Sequence, residues 1–221
     1  MSQDDTKTKI LVAAGPVFAD KGYQAATVRE ICQLADVNLA SVNYYFGDKQ
    51  QLYDEAVRTA HQLCIAQVPM PDWPANASAE IKLAGFIRTM YTRMVGSQSA
   101  PWQTRLMMRE VLDPTETCRQ MVDDYFRPHF AMLLDILREL LGDDLPLHRL
   151  QQIGFSVVGQ CLYYRVAGDV VTMMVGDAQR KEHFTIGQVA EHITQLTLSA
   201  LCPGRSLAAD VASAQPTTDL P

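Results

Sequence analysis

The chain has 221 residues, 48% of them hydrophobic and 20% charged, which is enough apolar content to bury a core and too much for a disordered chain. A net charge of -6 argues against broad coating of nucleic acid, yet leaves room for a small, directed contact surface. No run is long and apolar enough to span a membrane and no secretion signal stands out, so a cytoplasmic protein without a membrane partner is expected. The cysteines, Cys32, Cys64, Cys118, Cys161 and Cys202, are scattered with no CxxC pair, and read as small buried hydrophobes in a reducing compartment.

Helical periodicity dominates the chain. A first helix starts near Lys7, where Ile10, Leu11, Ala14, Val17 and Phe18 recur at three- and four-residue steps, and stops at Asp20-Lys21-Gly22. Gly15-Pro16 is expected to bend or loosen its centre, because proline removes a backbone donor and crowds the preceding turn. A second helix opens at Thr27. There "TVRE" forms a capping box, with the Thr27 hydroxyl accepting an amide bond and Glu30 reaching back, while Ile31 and Leu34 point inward. After Asp36-Val37, Asn38 caps a short third helix that runs out at Gly47. Asp48, with Gln51 three positions on, caps a long fourth helix carrying Leu52, Ala56 and Leu63 to about Gln67.

Two short helices, Thr27 to Ala35 and Asn38 to Phe46, joined so tightly read as a helix-turn-helix, whose second helix fits a major groove. Val42 and Phe46 face the core, leaving Ser41, Asn43, Tyr44 and Tyr45 around the other sides. Asn43 can offer a donor and an acceptor to a base edge, Ser41 is a shorter partner, and the tyrosine hydroxyls can reach phosphates. Lys49, in the first turn of the next helix, suits a phosphate, and Thr27 with Arg29 makes a similar clamp. The plain alternative is that a tyrosine pair is a packing wedge in an all-helical protein that never meets DNA. Local charge does not decide it: Lys7, Lys9, Lys21, Arg29, Lys49 and Arg58 are outnumbered by the acids of residues 1–66, so any affinity must come from a few placed contacts.

At this point the segment "FADKGYQAATVREICQLADVNLASVNYYFGDKQQLY", residues 18–53, resembles the N-terminal DNA-binding domain of TetR/AcrR-type transcriptional regulators. The resemblance implies a dimer whose third helix enters the major groove of double-stranded operator DNA. It places Thr27 and Arg29 near the backbone, Ala40, Ser41 and Asn43 at or near bases, and Tyr44, Tyr45 and Lys49 on phosphates. Two positions depart from the family pattern: histidine is common where this chain has Tyr45, and an alanine-rich centre where it has Gly15-Pro16.

After Gln67 the composition changes. Pro69, Pro71 and Pro74 in "VPMPDWPANAS" preclude continuous helix, so a linker is expected there, followed by a larger helical domain from about Ala79. One helix carries Ile81, Phe86, Ile87, Met90, Tyr91 and Met94; the next ends near Pro114; a longer one runs from about Glu116 to Leu141, bent at Pro128. Met90, Met94, Trp102, Met107, Met108, Phe126 and Phe130 can line an adaptable apolar pocket, or can equally be core. The last two strong helices carry the stripes Ile153, Val157, Cys161 and Ile186, Val189, Ile193, Leu196, with Gly154 and Gly159 allowing close approach. They fit a symmetric dimer interface or the closure of a monomeric core. Residues 204–221 read as a frayed tail.

"PWQTRLMMREVLDPTETCRQMVDDYFRPHFAMLL", "FSVVGQCLYYR" and "AEHITQLTLSAL" also resemble the CecR-like C-terminal domain found on a subset of TetR-type regulators. The expectation is therefore an all-α protein: a three-helix helix-turn-helix domain over 1–53, a connecting helix to about 67, and a helical ligand-binding and dimerisation domain over 68–203. The resemblance implies a ligand-responsive repressor acting as a homodimer; the Met- and aromatic-rich stretch from Met90 to Phe130, not the resemblance, points to release by an unknown small apolar or amphipathic effector. A helical ligand-binding or protein-docking module without DNA function is the alternative. Catalysis is disfavoured: His61, His129, His148, His183 and His192 form no HxxxH or HExxH pair, no GxSxG, P-loop or dinucleotide fingerprint exists, and neither cofactor nor metal is expected.

Overall fold

The computed structural model describes residues 3–95 and 101–201; Cys202 and the tail expected over 204–221 lie outside them. Every regular element among the described residues is a helix. In chain order these are α1 (Gln3–Ala25), α2 (Val28–Ala35), α3 (Leu39–Phe46), α4 (Lys49–Gln67), α5 (Ala79–Val95), α6 (Pro101–Leu112), α7 (Glu116–Met121), a π-helical segment (Val122–Phe126), α8 (Arg127–Leu141), α9 (Leu147–Val166), α10 (Gly168–Val175), α11 (Asp177–His183) and α12 (Ile186–Leu201). They fall into two compact units, Met1–Pro69 with Val95–Pro128 and Met70–Met94 with His129–Pro221.

In the first unit α1 to α4 share one core with α6 and α7. Ile10, Ala14, Phe18, Ile31, Val42, Leu52 and Val57 are buried together with Leu106, Met107 and Met121. Packing therefore does not follow chain order, because α6 lays its apolar face on α1 and α4 rather than on the helices that flank it in sequence. α1 stays helical through Pro16, and its non-helical residue is Gly22, at φ 75° and ψ 173°, within the Asp20-Lys21-Gly22 stop. Gly15 has a packing reason: the Trp102 ring occupies the space that a β-carbon would need. Two residues expected inside are outside. Leu34 is 63% exposed and Leu63 is also exposed, since the inward positions of α2 and α4 are taken by Ile31, Cys32 and Ala35 and by Ala56, Val57 and Ala60.

The second unit is built around Leu83, Phe86, Ile87 and Tyr91 of α5, Leu133, Ile136 and Leu137 of α8, Leu150, Val157 and Cys161 of α9, and Val189, Ile193 and Leu198 of α12. The proline-rich stretch is non-helical, as its missing donors require. It is nevertheless packed. Pro71 and Trp73 lie on Gly85, where a β-carbon would come within 2.9 Å of the indole nitrogen.

The helix expected from Glu116 to Leu141 runs without a gap, but its winding changes part-way. α7 ends at Met121, and Val122–Phe126 winds as a π-turn directly before Pro128. Proline lacks an amide hydrogen and crowds the carbonyl four residues earlier; widening the preceding turn accommodates both effects.

Candidate nucleic-acid interface

The helix-turn-helix is set by short polar contacts that the sequence encodes one by one. Thr27 is extended and its hydroxyl oxygen accepts from the Glu30 amide at 3.2 Å, starting α2. The reciprocal half of the capping box is replaced by an ion pair: Glu30 takes Lys21 Nζ at 2.7 and 2.8 Å. Asp36 ends α2 in the left-handed region, at φ 53°, a conformation Asp tolerates better than most residues. Asn38 then caps α3, its Oδ1 accepting from the Ser41 amide at 2.8 Å and the Ser41 hydroxyl at 3.0 Å. Gly47, at φ 77°, closes α3, and Asp48 caps α4 by accepting from the Gln51 amide at 2.8 Å. With both ends capped, an eight-residue helix too short to persist alone is held in one register.

Val42 and Phe46 anchor α3 in the core, and the face they leave open is the candidate reading surface. Ala40, Asn43 and Tyr44 are exposed, Tyr44 by 72%, and Tyr44 stands edge-on to Tyr45 with ring centroids 5.0 Å apart. Tyr45 and Ser41 are half-buried; Tyr45 packs on the core, and the Ser41 hydroxyl is engaged with Asn38. Leu39, which the sequence pattern does not single out, joins this face at 55% exposure. Positions 39, 40, 43 and 44 are neighbours on one side of the helix. The available signal is an apolar residue in the first turn with no inward position to fill, and its side chain suits a thymine methyl.

Around this surface Thr27 and Arg29 are exposed, and Arg29 forms no ion pair with any described residue. Lys49 is less free than expected. Its ammonium donates to the Gln24 carbonyl at 3.3 Å and sits 4.7 Å from the centre of the Tyr23 ring, which ties the start of α4 to the end of α1. Two of its three hydrogens remain for another acceptor.

The residues expected to line a pocket are not one group. Trp102, Met107 and Phe126 belong to the core of the first unit, and Met108 lines an open groove of about 410 Å³ beside Arg105 and Arg109. Met90, Met94 and Phe130 are half-buried against the core of the second unit, where Phe130 stacks on Phe155 at 4.4 Å. Most of the stripe expected at a dimer interface faces inward in the single chain. Val157, Cys161, Val189 and Ile193 are buried within the second unit, and Ile153 and Ile186 pack partly against the same core; only Leu196, 51% exposed, faces outward. Among the described residues no helix is long and apolar enough to cross a membrane, and no His, Cys, Asp and Glu cluster is placed to hold a metal.

A model of the bacterial TetR-family regulatory proteins matches residues 10–56, covering the capped helix-turn-helix just described. A model of the C-terminal domain of the HTH-type transcriptional dual regulator CecR matches residues 79–201, more than half of the chain. The chain belongs to the TetR-type transcriptional regulators with a CecR-like C-terminal domain. This TetR-type regulator is similar to the Shigella flexneri protein described as HTH-type transcriptional dual regulator CecR, at 23% identity over 78% of this chain and 81% of that one. It is also 27% identical to a Bacillus subtilis protein described as "Probable HTH-type transcriptional regulator YttP", over 54% of this chain and only 57% of that relative's length. Among solved structures, a TetR-family bacterial regulatory protein from Rhodococcus RHA1 superposes with a TM-score of 0.64 at 18% identity, over 89% of this chain and 96% of the other, a likeness of fold. A DNA-binding, all-α regulator with an N-terminal helix-turn-helix is thus the coarse identity of the molecule.

Proposed function

We propose that this TetR-type regulator is a cytoplasmic, non-enzymatic repressor that binds a palindromic operator as a homodimer and leaves it when a small apolar or amphipathic effector binds. The observation that carries the reading is the open face of α3: Leu39, Ala40, Asn43 and Tyr44 are presented together while Val42 and Phe46 hold the helix from behind. Asn43 and Leu39 take the base edges, and Thr27, Arg29, Tyr44, Tyr45 and Lys49 take phosphates, with Ser41 positioning the first turn. On this reading residues 1–53 bind DNA, and 68–203 bind the effector and the second subunit.

Dimerisation runs through α9 and α12 by their outward stripe. Phe155, Tyr163 and Val166 are exposed on α9, Gly159 has open space where a side chain would stand, and Leu196 is exposed on α12. Two such helices from each chain make a four-helix contact whose two-fold symmetry matches two half-sites. For the effector, the half-buried Met90, Met94 and Phe130 are the favoured contacts, because thioethers and a stacked ring can repack around a guest.

Selection of bound fragments from the source genome by the purified chain, followed by footprinting and a reporter assay, tests the reading. A protected palindrome whose reporter is silenced by the chain supports it. Failure to enrich any fragment at low salt would return the molecule to a docking role.

A further inference from the structure

Glu110 is fully buried on α6, at 0% exposure, on the same inward side as Leu106 and Met107. A carboxylate there is costly unless every lone pair finds a donor, and packing alone would be served by an apolar side chain. It is well supplied. The Tyr53 hydroxyl of α4 donates to Oε1 at 2.5 Å, the Thr115 amide to Oε2 at 3.2 Å, and the Thr115 hydroxyl lies 3.0 and 2.9 Å from the two oxygens. A second set of bonds joins the same two regions close by. Thr117 donates to Asp54 at 2.6 Å, and the Gln50 amide reaches both Asp54, at 2.8 Å, and Thr117, at 3.2 Å.

All three α4 residues in these networks, Gln50, Tyr53 and Asp54, lie in the two turns that follow Lys49. Apolar faces tolerate sliding and rotation, whereas hydrogen bonds of fixed direction do not. The contacts also continue toward the interface. The Tyr53 ring meets Tyr23 at 5.1 Å, and Tyr23 lies under the Lys49 ammonium.

We infer that Glu110, although on none of the helices that face DNA, is a positioning residue for the reading head: through Tyr53 it fixes the rotation of α4, and with it Lys49 and the Gly47 junction to α3. The inference rests on the operator-binding reading above.

The test compares Tyr53→Phe, which keeps the ring contacts with Tyr23 and with Phe18 of α1 and removes one hydroxyl, with Glu110→Gln and the double variant. Binding is measured by fluorescence anisotropy on a fragment selected by the wild-type chain and on a shuffled copy, at several salt concentrations, with thermal unfolding alongside. Each single variant should bind the selected fragment about tenfold more weakly while shuffled DNA changes less than about twofold, as expected if one directional bond sets geometry. The double variant should be no worse than the weaker single one, because both remove the same link. A lowered melting temperature with an unchanged ratio of selected to shuffled affinity would assign Glu110 to stability alone and overturn the inference. Should Glu110→Gln not fold, Tyr53→Phe decides by the same ratio. If the wild-type chain selects no fragment, the operator reading falls and takes this one with it; if it does and the ratios hold, only this one falls.

Discussion

The ring of Trp102 lies against Gly15 so closely that α1 has no room for a β-carbon at that point. Gly15 would ordinarily weaken the middle of a 23-residue helix, and here it lets α6 settle onto α1. Gly15→Ala should therefore destabilise the protein despite alanine's better helix propensity. A loss of about 1–3 kcal/mol is expected from overpacking, read from the midpoint of urea unfolding. An increase in stability would show that Trp102 can swing away at little cost.

Asn43 and Lys49 should fail differently when truncated. Asn43→Ala is expected to cost about 1–3 kcal/mol on the operator with little change on unrelated DNA. Lys49→Ala should weaken both DNAs and lower the slope of log affinity against log salt by about 1 for each phosphate that the ammonium neutralises. Because Lys49 also holds the Gln24 carbonyl and the Tyr23 ring, its truncation should reduce thermal stability too, which Asn43→Ala should not. Equal losses on both DNAs for Asn43→Ala would move that residue from base reading to the backbone.

Leu39 and its cap neighbour separate reading from folding in the same helix. Leu39→Ala should relax preference at one base step without unfolding α3, since its side chain is mostly in solvent. Asn38→Ala removes the acceptor for Ser41 and should cost about 0.5–2 kcal/mol of stability. Binding curves on fragments varied at single positions, with circular dichroism, distinguish the two.

The outward stripe of α9 and α12 yields a mass prediction. Tyr163→Glu and Leu196→Glu should shift the chain from dimer to monomer in sedimentation equilibrium at micromolar concentration while leaving helicity intact, because both positions are exposed in the single chain. Val157→Glu should instead unfold the second unit by burying a charge. A wild-type monomer at that concentration would refute the dimer.

Cys161 supplies a pH dependence. Burial pushes its thiol up to about 12 from an ordinary 9.0, so the folded chain keeps the proton where the unfolded chain loses it. Its stabilising contribution is complete below the unfolded value and is lost as pH rises from 9.0 toward about 12. Urea midpoints should fall more steeply with rising pH for the wild type than for Cys161→Ala. A parallel decline in the two proteins would mean that Cys161 is not the titrating group.

Much of the reading head is written locally. Thr27, Asn38 and Asp48 are caps whose partners lie three residues away, and each is found with the bond its sequence context implies. Glu30 escapes because Lys21, nine positions earlier, competes for it, and ion-pair partners at that distance leave no periodic trace. Leu39 escapes because an exposed leucine at a helix start looks like any other apolar residue. The second half is harder for a different reason. Val157 and Ile193 are recognisable as faces needing cover, but a stripe shows that it will be buried and not whether its own chain or another covers it. Likewise Trp102 and Phe130 look alike in sequence, yet they join separate cores because α6 turns back to α1 and α4.

The resting places of Trp73 and Trp102 give each compact unit its own built-in light source, since these are the chain's two tryptophans. Trp73 emits from beside Gly85, and Trp102 from beside Gly15. Replacing either with phenylalanine leaves a protein whose emission spectrum follows one unit alone. Excitation near the red edge of tyrosine absorption can then report, without any attached dye, which half of the molecule responds first when DNA or an effector is added.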